Sequence, residues 1–512
     1  MSSATSRNIL ALIGVCLASL LFGLEISSVP VVLSKLKDVL GADFRDLQWI
    51  MNAYTIACTT VLMATGTLAD RFGRKRVMAI TTITFGVASL LCGLSSSAGA
   101  LIAARFLQGL AGGAMFTCSV AVLSHQFQDG KARGRAFVAW SVISGIGLGF
   151  GPAIGGLIVA LADWQWVFLV HVPLAMIALL FIGAGVTESR DPEAGQLDLA
   201  GIITLSLAVF GFSYLITQDG ELGGGLRMAI GLASLLAFGA FLWAERVSSH
   251  PMFDFSVFRI RPFSGAIMGG IGMNFSYWPF IIYLPIYFSS GLGYDATTTG
   301  TLLLAYTIPF MLMPPMAEFI RARFGARVAI PLGLLTLGVG FLAMRVGAGA
   351  EAASWKTLLP GTLIAGVGIG LTNSPTTNTT TGSVSADRAG MASGIDISAR
   401  LITLAINIAV FGLLLVKGIH AYLEAALGTS IDESQLRAAA ERIAGGDLSA
   451  LASHVTGATP STTLAHDALV HGFGWLMLYG GLGAIVLAML SFTIFGSGTV
   501  RQEAARPCTD TP

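Results

Sequence analysis

The chain has 512 residues, of which 54% are hydrophobic and only 11% charged, with a formal net charge of +1. Soluble domains carry about 25% charged residues, so this composition points to a membrane protein, and the near-neutral balance suggests no nucleic-acid partner. Cys16, Cys58, Cys92 and Cys118 lie in apolar stretches and Cys508 in the tail. None has metal-ligand spacing, so no metal site is indicated.

About 20 apolar residues cross a bilayer, and on that scale the chain divides into about 14 spans, making it an all-α integral membrane protein. The first six run over roughly 9–33, 47–69, 77–94, 99–123, 135–160 and 164–187. Two more cover roughly 199–217 and 226–245, and six follow at roughly 264–290, 298–317, 328–346, 357–377, 391–416 and 472–495. The first is too long for a signal h-region and no small-residue cleavage site follows it, so it reads as a retained span.

Between spans 2 and 3 lies a short basic turn, Gly66-Thr67-Leu68-Ala69-Asp70-Arg71-Phe72-Gly73-Arg74-Lys75-Arg76. Its charge and brevity mark a cytoplasmic turn, and an even span count puts both termini on that side. With that orientation 18 basic residues fall inside and nine outside, with Arg105 and Arg400 within spans. Arg71-Phe72-Gly73 with Lys75 recurs as Arg323-Phe324-Gly325 with Arg327, a shift near half the chain, which indicates a two-half architecture.

Thr187-Glu188-Ser189-Arg190-Asp191-Pro192-Glu193-Ala194 reads as a linker, and His250-Pro251-Met252-Phe253-Asp254 as a second boundary. A longer polar piece, about 418–470, falls outside, with a capped helix start at Asp432-Glu433-Ser434-Gln435-Leu436-Arg437. No G-x-x-x-x-G-K-[ST] occurs and no cytoplasmic domain is large enough for an ATPase. Transport driven by the chain's own nucleotide hydrolysis is thereby excluded.

These motifs resemble those of the major facilitator superfamily. The Gly66–Lys75 turn looks like its loop 2–3 signature, and Leu101-Ile102-Ala103-Ala104-Arg105-Phe106-Leu107-Gln108-Gly109 resembles its fourth-helix motif. Gly147-Leu148-Gly149-Phe150-Gly151-Pro152-Ala153-Ile154-Gly155-Gly156 resembles the fifth-helix motif of exporting proton antiporters. Fourteen spans, with two extra helices between the halves, look like the multidrug exporter branch. Similarity extends to Asp46–Trp49, Pro251–Phe263 and Ala389–Arg400. The chain departs from the branch in the first span, where Leu24-Glu25-Ile26-Ser27-Ser28-Val29-Pro30 has Glu in place of Asp and lacks an Asn. In the second basic turn Ala322 stands where Asp is usual, and after Arg400 the glycine-rich continuation is replaced by Leu401–Ala405.

The resemblance implies two six-helix bundles, 1–187 and 263–496, two linker helices within 188–262, and a cytoplasmic tail 497–512. It also implies a plasma-membrane monomer that needs no cofactor. A proton gradient would drive export of small lipophilic, often cationic, compounds by alternating access. Alternatives are a dedicated exporter of one endogenous metabolite, uptake or lipid translocation, and a non-transporting sensor or scaffold. No nucleophile–base constellation suggests an enzyme.

Glu25 is the leading site candidate. A carboxylate deep in a span costs on the order of 3 kcal/mol and usually faces the bundle interior, where it can exchange a proton or attract a cation. The plainer role is a structural hydrogen-bond partner. Arg105 falls at nearly the same depth, roughly 9 Å from its helix end against roughly 12 Å for Glu25, so the two can pair. Arg105 would then tune the carboxylate or brace the helices, with Gln108 one turn on in the same network. Asp396 and Arg400, spaced i, i+4, form either a local ion pair or a cytoplasmic gate. Gly147, Gly151, Pro152, Gly155 and Gly156 give span 5 a smooth face for close helix packing. Family resemblance makes that face a seal between halves. Asp70, Arg71, Gly73, Arg74 and Lys75 are topogenic, and by resemblance a conformational latch. Asn52, Tyr54, Asn274, Tyr277 and Trp278 are candidates to line a cavity, Trp49 and Tyr287 are interface anchors, and His171 reads as structural.

Overall fold

The computed structural model describes residues 3–496 except 128–129, 191–197, 219–221, 249–254, 351–352, 385–388, 428–431 and 452–460. The His250–Asp254 boundary, the end of the 187–194 linker, Arg388, the tail 497–512 and the side chain of Asp70 lie outside the described set. Among the described residues all regular structure is helical.

The helices are α1 Ser3–Ser28, α2 Leu33–Leu40, α3 Phe44–Phe72, α4 Arg74–Gly93, α5 Ala98–Gln126 and α6 Gly130–Leu161. Then come α7 Gln165–Leu169, α8 His171–Gly185, α9 Leu199–Thr217, α10 Gly224–Val247, α11 Arg261–Phe275, α12 Tyr277–Ile286 and α13 Ala296–Leu312. The series ends with α14 Pro314–Phe324, α15 Ala326–Ala348, α16 Trp355–Gly382, α17 Ala389–Leu427, α18 Glu433–Ala444 and α19 Ser461–Phe495.

Eleven of the described helical segments are long and apolar enough to cross a membrane. The three other expected spans correspond to α3, α11 with α12, and α16. Polar content lowers the apolarity of α3 and α16, which bury Gln48, Asn52, Thr55, Thr59 and Thr65 in one and Thr362, Thr372, Thr376, Thr379 and Thr380 in the other. Several of these hydroxyls return to their own helix, as Thr55 does to Met51 O at 3.1 Å and Thr372 to Gly368 O at 2.8 Å.

Prolines set the interruptions, because each removes one N–H from the i→i−4 ladder. Pro173 leaves the Leu169 carbonyl without its helical donor, and the chain breaks between α7 and α8. Pro279 does the same to Phe275, and α11 gives way to α12 at Ser276. A π-helical turn, Tyr287–Gly291, follows Pro285. Two helices outrun expectation: α17 continues to Leu427 and α19 begins at Ser461, so the described part of the polar piece expected at 418–470 is largely helical. The expected short helix within it is α18, capped by Asp432 accepting from Ser434 N at 3.2 Å.

The chain forms two compact units. One comprises Met1–Met252, Ile281–Leu304 and Ala405–Trp475. In it α1 is sandwiched by α6 and α8, α3 lies along α5, and α9 pairs with α10. The other comprises Phe253–Phe280, Ala305–Leu404 and Leu476–Pro512, and in it α15 and α16 are packed along their length.

The sequence repeat is a structural repeat. Arg71-Phe72 closes α3 and Arg323-Phe324 closes α14, and each is followed by a glycine with positive φ, +106° at Gly73 and +80° at Gly325. In both, the arginine guanidinium lies 5.7 Å from the neighbouring phenylalanine ring. An L side chain is strained in that backbone region, which accounts for glycine at both positions.

Candidate functional site: a buried Glu–Arg–His cluster

Glu25 on α1, Arg105 on α5 and His171 at the head of α8 meet with no exposure to solvent. Arg105 Nη1 donates to Glu25 Oε1 and, at 2.7 Å, to Gln108 Oε1. Its Nε donates to the Ile50 carbonyl of α3 at 3.0 Å, and the guanidinium lies 4.3 Å from the Tyr54 ring centre. Gln108 passes the network to α4 by donating to Ser89 Oγ at 2.9 Å, and Ser89 donates to Phe85 O at 2.7 Å. One guanidinium therefore ties together α1, α3 and α5, and through Gln108 it reaches α4. An always-charged planar fork with several donors suits this junction, which a lysine would not fill.

On the far side of the carboxylate, His171 Nε2 lies 3.3 Å from Glu25 Oε2. The ring is held edge-on to Phe85 with centroids 5.8 Å apart, and Nδ1 is 3.2 Å from Phe168 O. His171 had read as structural from the sequence, and it belongs to this cluster. The signal available was depth: counted from Gln165 it lies roughly 9 Å into its span, the level already found for Arg105.

The other candidates fall in several places. Tyr54 forms the aromatic floor beneath Arg105, and Asn52 is fully buried on the same helix. Tyr277 and Tyr306 stack at 4.0 Å and 5°, each hydroxyl donating to the other's carbonyl, at 2.8 and 3.2 Å. Asn274 donates to Gly270 O at 3.0 Å, while Trp278 is half-buried against Phe310. Arg400 grips Asp396 with two bonds, 2.8 and 3.1 Å, and also reaches Asn373 at 2.7 Å and Thr377 at 3.1 Å on α16.

The span 5 glycines divide between two neighbours. Gly147, Gly151 and Gly155 face α1: a Cβ on Gly151 would strike Ser27 Oγ, and one on Gly155 would lie 2.9 Å from Ser28 O. Ser27 itself donates to Gly147 O at 3.0 Å. Gly156 faces α13, where a Cβ would lie 2.5 Å from the Ala296 carbonyl oxygen, and Gly300 of α13 lies against the Pro152 carbonyl. The basic turn docks on the last turn of α8 and the segment after it. Arg74 N donates to Ser189 O at 3.0 Å, Lys75 N to Glu188 Oε1 at 3.1 Å, and Lys75 Nζ to Gly183 O at 2.6 Å. Arg71 is exposed beside it.

At the Phe44 end of α3, Gln48 donates to Tyr283 Oη at 3.1 Å and Tyr283 to Ile408 O at 2.5 Å. Beside them Arg45 pairs with Glu441 of α18 at 2.5 Å.

This geometry can be set beside known proteins. A family model described as Major Facilitator Superfamily matches residues 15–408. The chain belongs to that superfamily. It is a multi-pass membrane transporter. The chain is 31% identical over 461 residues to the multidrug resistance protein Stp of Mycobacterium tuberculosis, a match covering 90% of this chain and 85% of that one. It is 27% identical to the tetracenomycin C resistance and export protein of Streptomyces glaucescens, covering 94% and 90%. Among solved structures it resembles a bacterial homolog of the human lysosomal transporter Spinster, in an inward-facing and unoccupied conformation. That match has a TM-score of 0.64 at 14% identity and covers 97% of this chain and 98% of that one. A D-xylose-proton symporter matches with a TM-score of 0.59 at 15% identity, covering 89% and 99%. At such identities these two structures establish the fold alone.

Proposed function

We propose that this facilitator is a proton-coupled exporter of small lipophilic, often cationic compounds, working by alternating access in the plasma membrane. The observation that carries the reading is the solvent-free Glu25–Arg105–His171 cluster inside a transporter bundle. Burying three ionisable groups is costly unless they pair or do work, and here one carboxylate oxygen is committed to arginine while the other faces an imidazole. Relatives named for multidrug resistance and for export support the direction of transport. The driving force is the proton gradient, with no cofactor, and the charge distribution of the loops supports cytoplasmic termini.

In this reading the chain acts as a monomer of two six-helix bundles, 1–187 and 263–496, bridged by linker helices within 188–262. The basic turn with Arg71, Gly73, Arg74 and Lys75, and the Asp396–Arg400 pair, act as contacts that form in one state and break in the other. Trp278 and Asn274 line the substrate path. A second reading, export of one endogenous compound, is favoured by the relative named for tetracenomycin C.

Purified protein in vesicles tests the proposal. An imposed proton gradient should drive ethidium or tetraphenylphosphonium across the bilayer without nucleotide, and collapsing the gradient should stop it. Transport of a panel of unrelated dyes at rates that ignore the gradient would overturn proton coupling.

A further inference from the structure

We infer that the proton-binding unit is the Glu25–His171 pair rather than Glu25 alone, with His171 Nε2 sharing the proton of Glu25 Oε2. The inference deepens the proton-coupled reading and rests on it.

Nδ1 of His171 is 3.2 Å from the carbonyl oxygen of Phe168, and a carbonyl only accepts, so Nδ1 carries the hydrogen of that bond. In the neutral ring Nε2 is then a bare lone pair. It faces Glu25 Oε2 at 3.3 Å, and in the ionised carboxylate that oxygen is an acceptor too. Neither atom has a hydrogen-bond partner, the two lie 3.3 Å apart, and both side chains are fully buried. Two bare acceptors at that distance leave one position between them, and a single proton satisfies both.

Arg105 holds Oε1 on the opposite side, so taking up the proton does not require the Glu25–Arg105 bond to break. Without the proton the three groups sum to zero charge; with it they sum to plus one. The proton arrives from one aqueous phase and leaves to the other, and no other bond changes. Around the pair the further titratable groups are Tyr54 and Cys58 from α3 and Cys92 from α4, each within electrostatic range of Glu25. Arg105 also donates to Gln108 and to the Ile50 carbonyl, Gln108 in turn donates to Ser89, and the aromatic neighbours are Phe85 and Phe168.

His171 is also placed to sense movement. It starts α8 just after the break that Pro173 imposes, so its ring is held by the α7 segment through Phe168 while its backbone belongs to α8. A shift between the two pieces changes the Nε2–Oε2 gap and hence the hold on the proton. A cationic compound approaching the cluster meets a neutral site when the proton is absent and a positive one when it is present, which makes the two exchange.

Nitrogen NMR of the whole protein, isotopically labelled at histidine and held in detergent, tests the pair without any substrate. The His171 signal is identified as the one missing in His171→Gln. At alkaline pH it should be the Nδ1–H tautomer, and acidification should add a proton at Nε2; an Nε2–H tautomer, or a ring that never takes the second proton, overturns the inference. Proton release on adding tetraphenylphosphonium supplies the second readout. His171→Gln, whose amide can still donate to Oε2, should lose release as fully as Glu25→Gln, and the double variant should lose no more than either single. Release by His171→Gln equal to wild type, with Glu25→Gln silent, overturns the pair while leaving the proton-coupled reading intact. A wild type that binds tetraphenylphosphonium and releases nothing overturns the reading itself.

Discussion

Arg105 organises the site by bond count. It is fully buried, it bonds three groups on three helices, and its guanidinium lies over the Tyr54 ring. Removing one partner of a buried ion pair leaves the other charge uncompensated, at about 3–5 kcal/mol. Arg105→Ala should therefore lower stability by about that amount, seen as a lower thermal midpoint in detergent, whereas Gln108→Ala should cost about 1 kcal/mol. Equal midpoints for Arg105→Ala and wild type would contradict the account. Much of this site was legible beforehand, because a lone carboxylate and a lone arginine in apolar spans each demand a partner and rise per residue puts them at one depth. His171 was not, since a histidine near a helix end has many satisfied neutral roles. Tyr54 was read as a cavity-lining candidate; helix rotation, which spacing does not fix, decides that its face lies under the guanidinium.

The fifth-span glycines matter at the scale of the helix because they let α6 lie on α1 beside Glu25. A side chain on Gly151 collides with Ser27, whereas one on Gly145 meets nothing within 4 Å. Gly151→Ala should cost about 1–3 kcal/mol by overpacking, and Gly145→Ala should be close to neutral, by thermal unfolding in detergent. A reversed order would contradict the packing described. The motif was visible in the sequence as a stripe of small residues; its division between α1 and α13 was not, because a helix lined with glycine presents no side chain to say which neighbour it receives. The short helix α18 shows a boundary read correctly from its cap. Hydrogen bonds from Ser434 hold the Asp432 carboxyl below the usual aspartate range. The stability this gives is complete above the unfolded-state value and is lost as pH falls through the depressed folded value. Acidification within the neutral range should then leave α18 folded, and backbone hydrogen exchange of 433–444 across that range would check it; exchange that rises between neutral and mildly acid pH would contradict it.

At the scale of the whole chain, the recurring turn, a cationic helix end followed by a positive-φ glycine at Gly73 and Gly325, was legible as a few matched residues. Proline breaks within spans and the helical extensions of α17 and α19 were harder to see, because hydropathy measures apolar length and not backbone continuity. In this conformation Arg45–Glu441 and Gln48–Tyr283–Ile408 tie the Phe44 end of α3 to α12, α17 and α18. Alternating access requires such ties to open. Cysteines at Arg45 and Glu441 joined by a cleavable thiol-specific cross-linker should stop turnover, and cleavage should restore it. Unchanged turnover with the link intact would mean that this contact is not broken in the cycle.

The proposed function requires proton and compound to compete through Glu25. The most direct measurement is proton release from purified protein in detergent at neutral pH when tetraphenylphosphonium or a neutral drug is added, with wild type and Glu25→Gln side by side and binding measured separately. Wild type should release protons and Glu25→Gln should release none. Binding by both with equal release would contradict it.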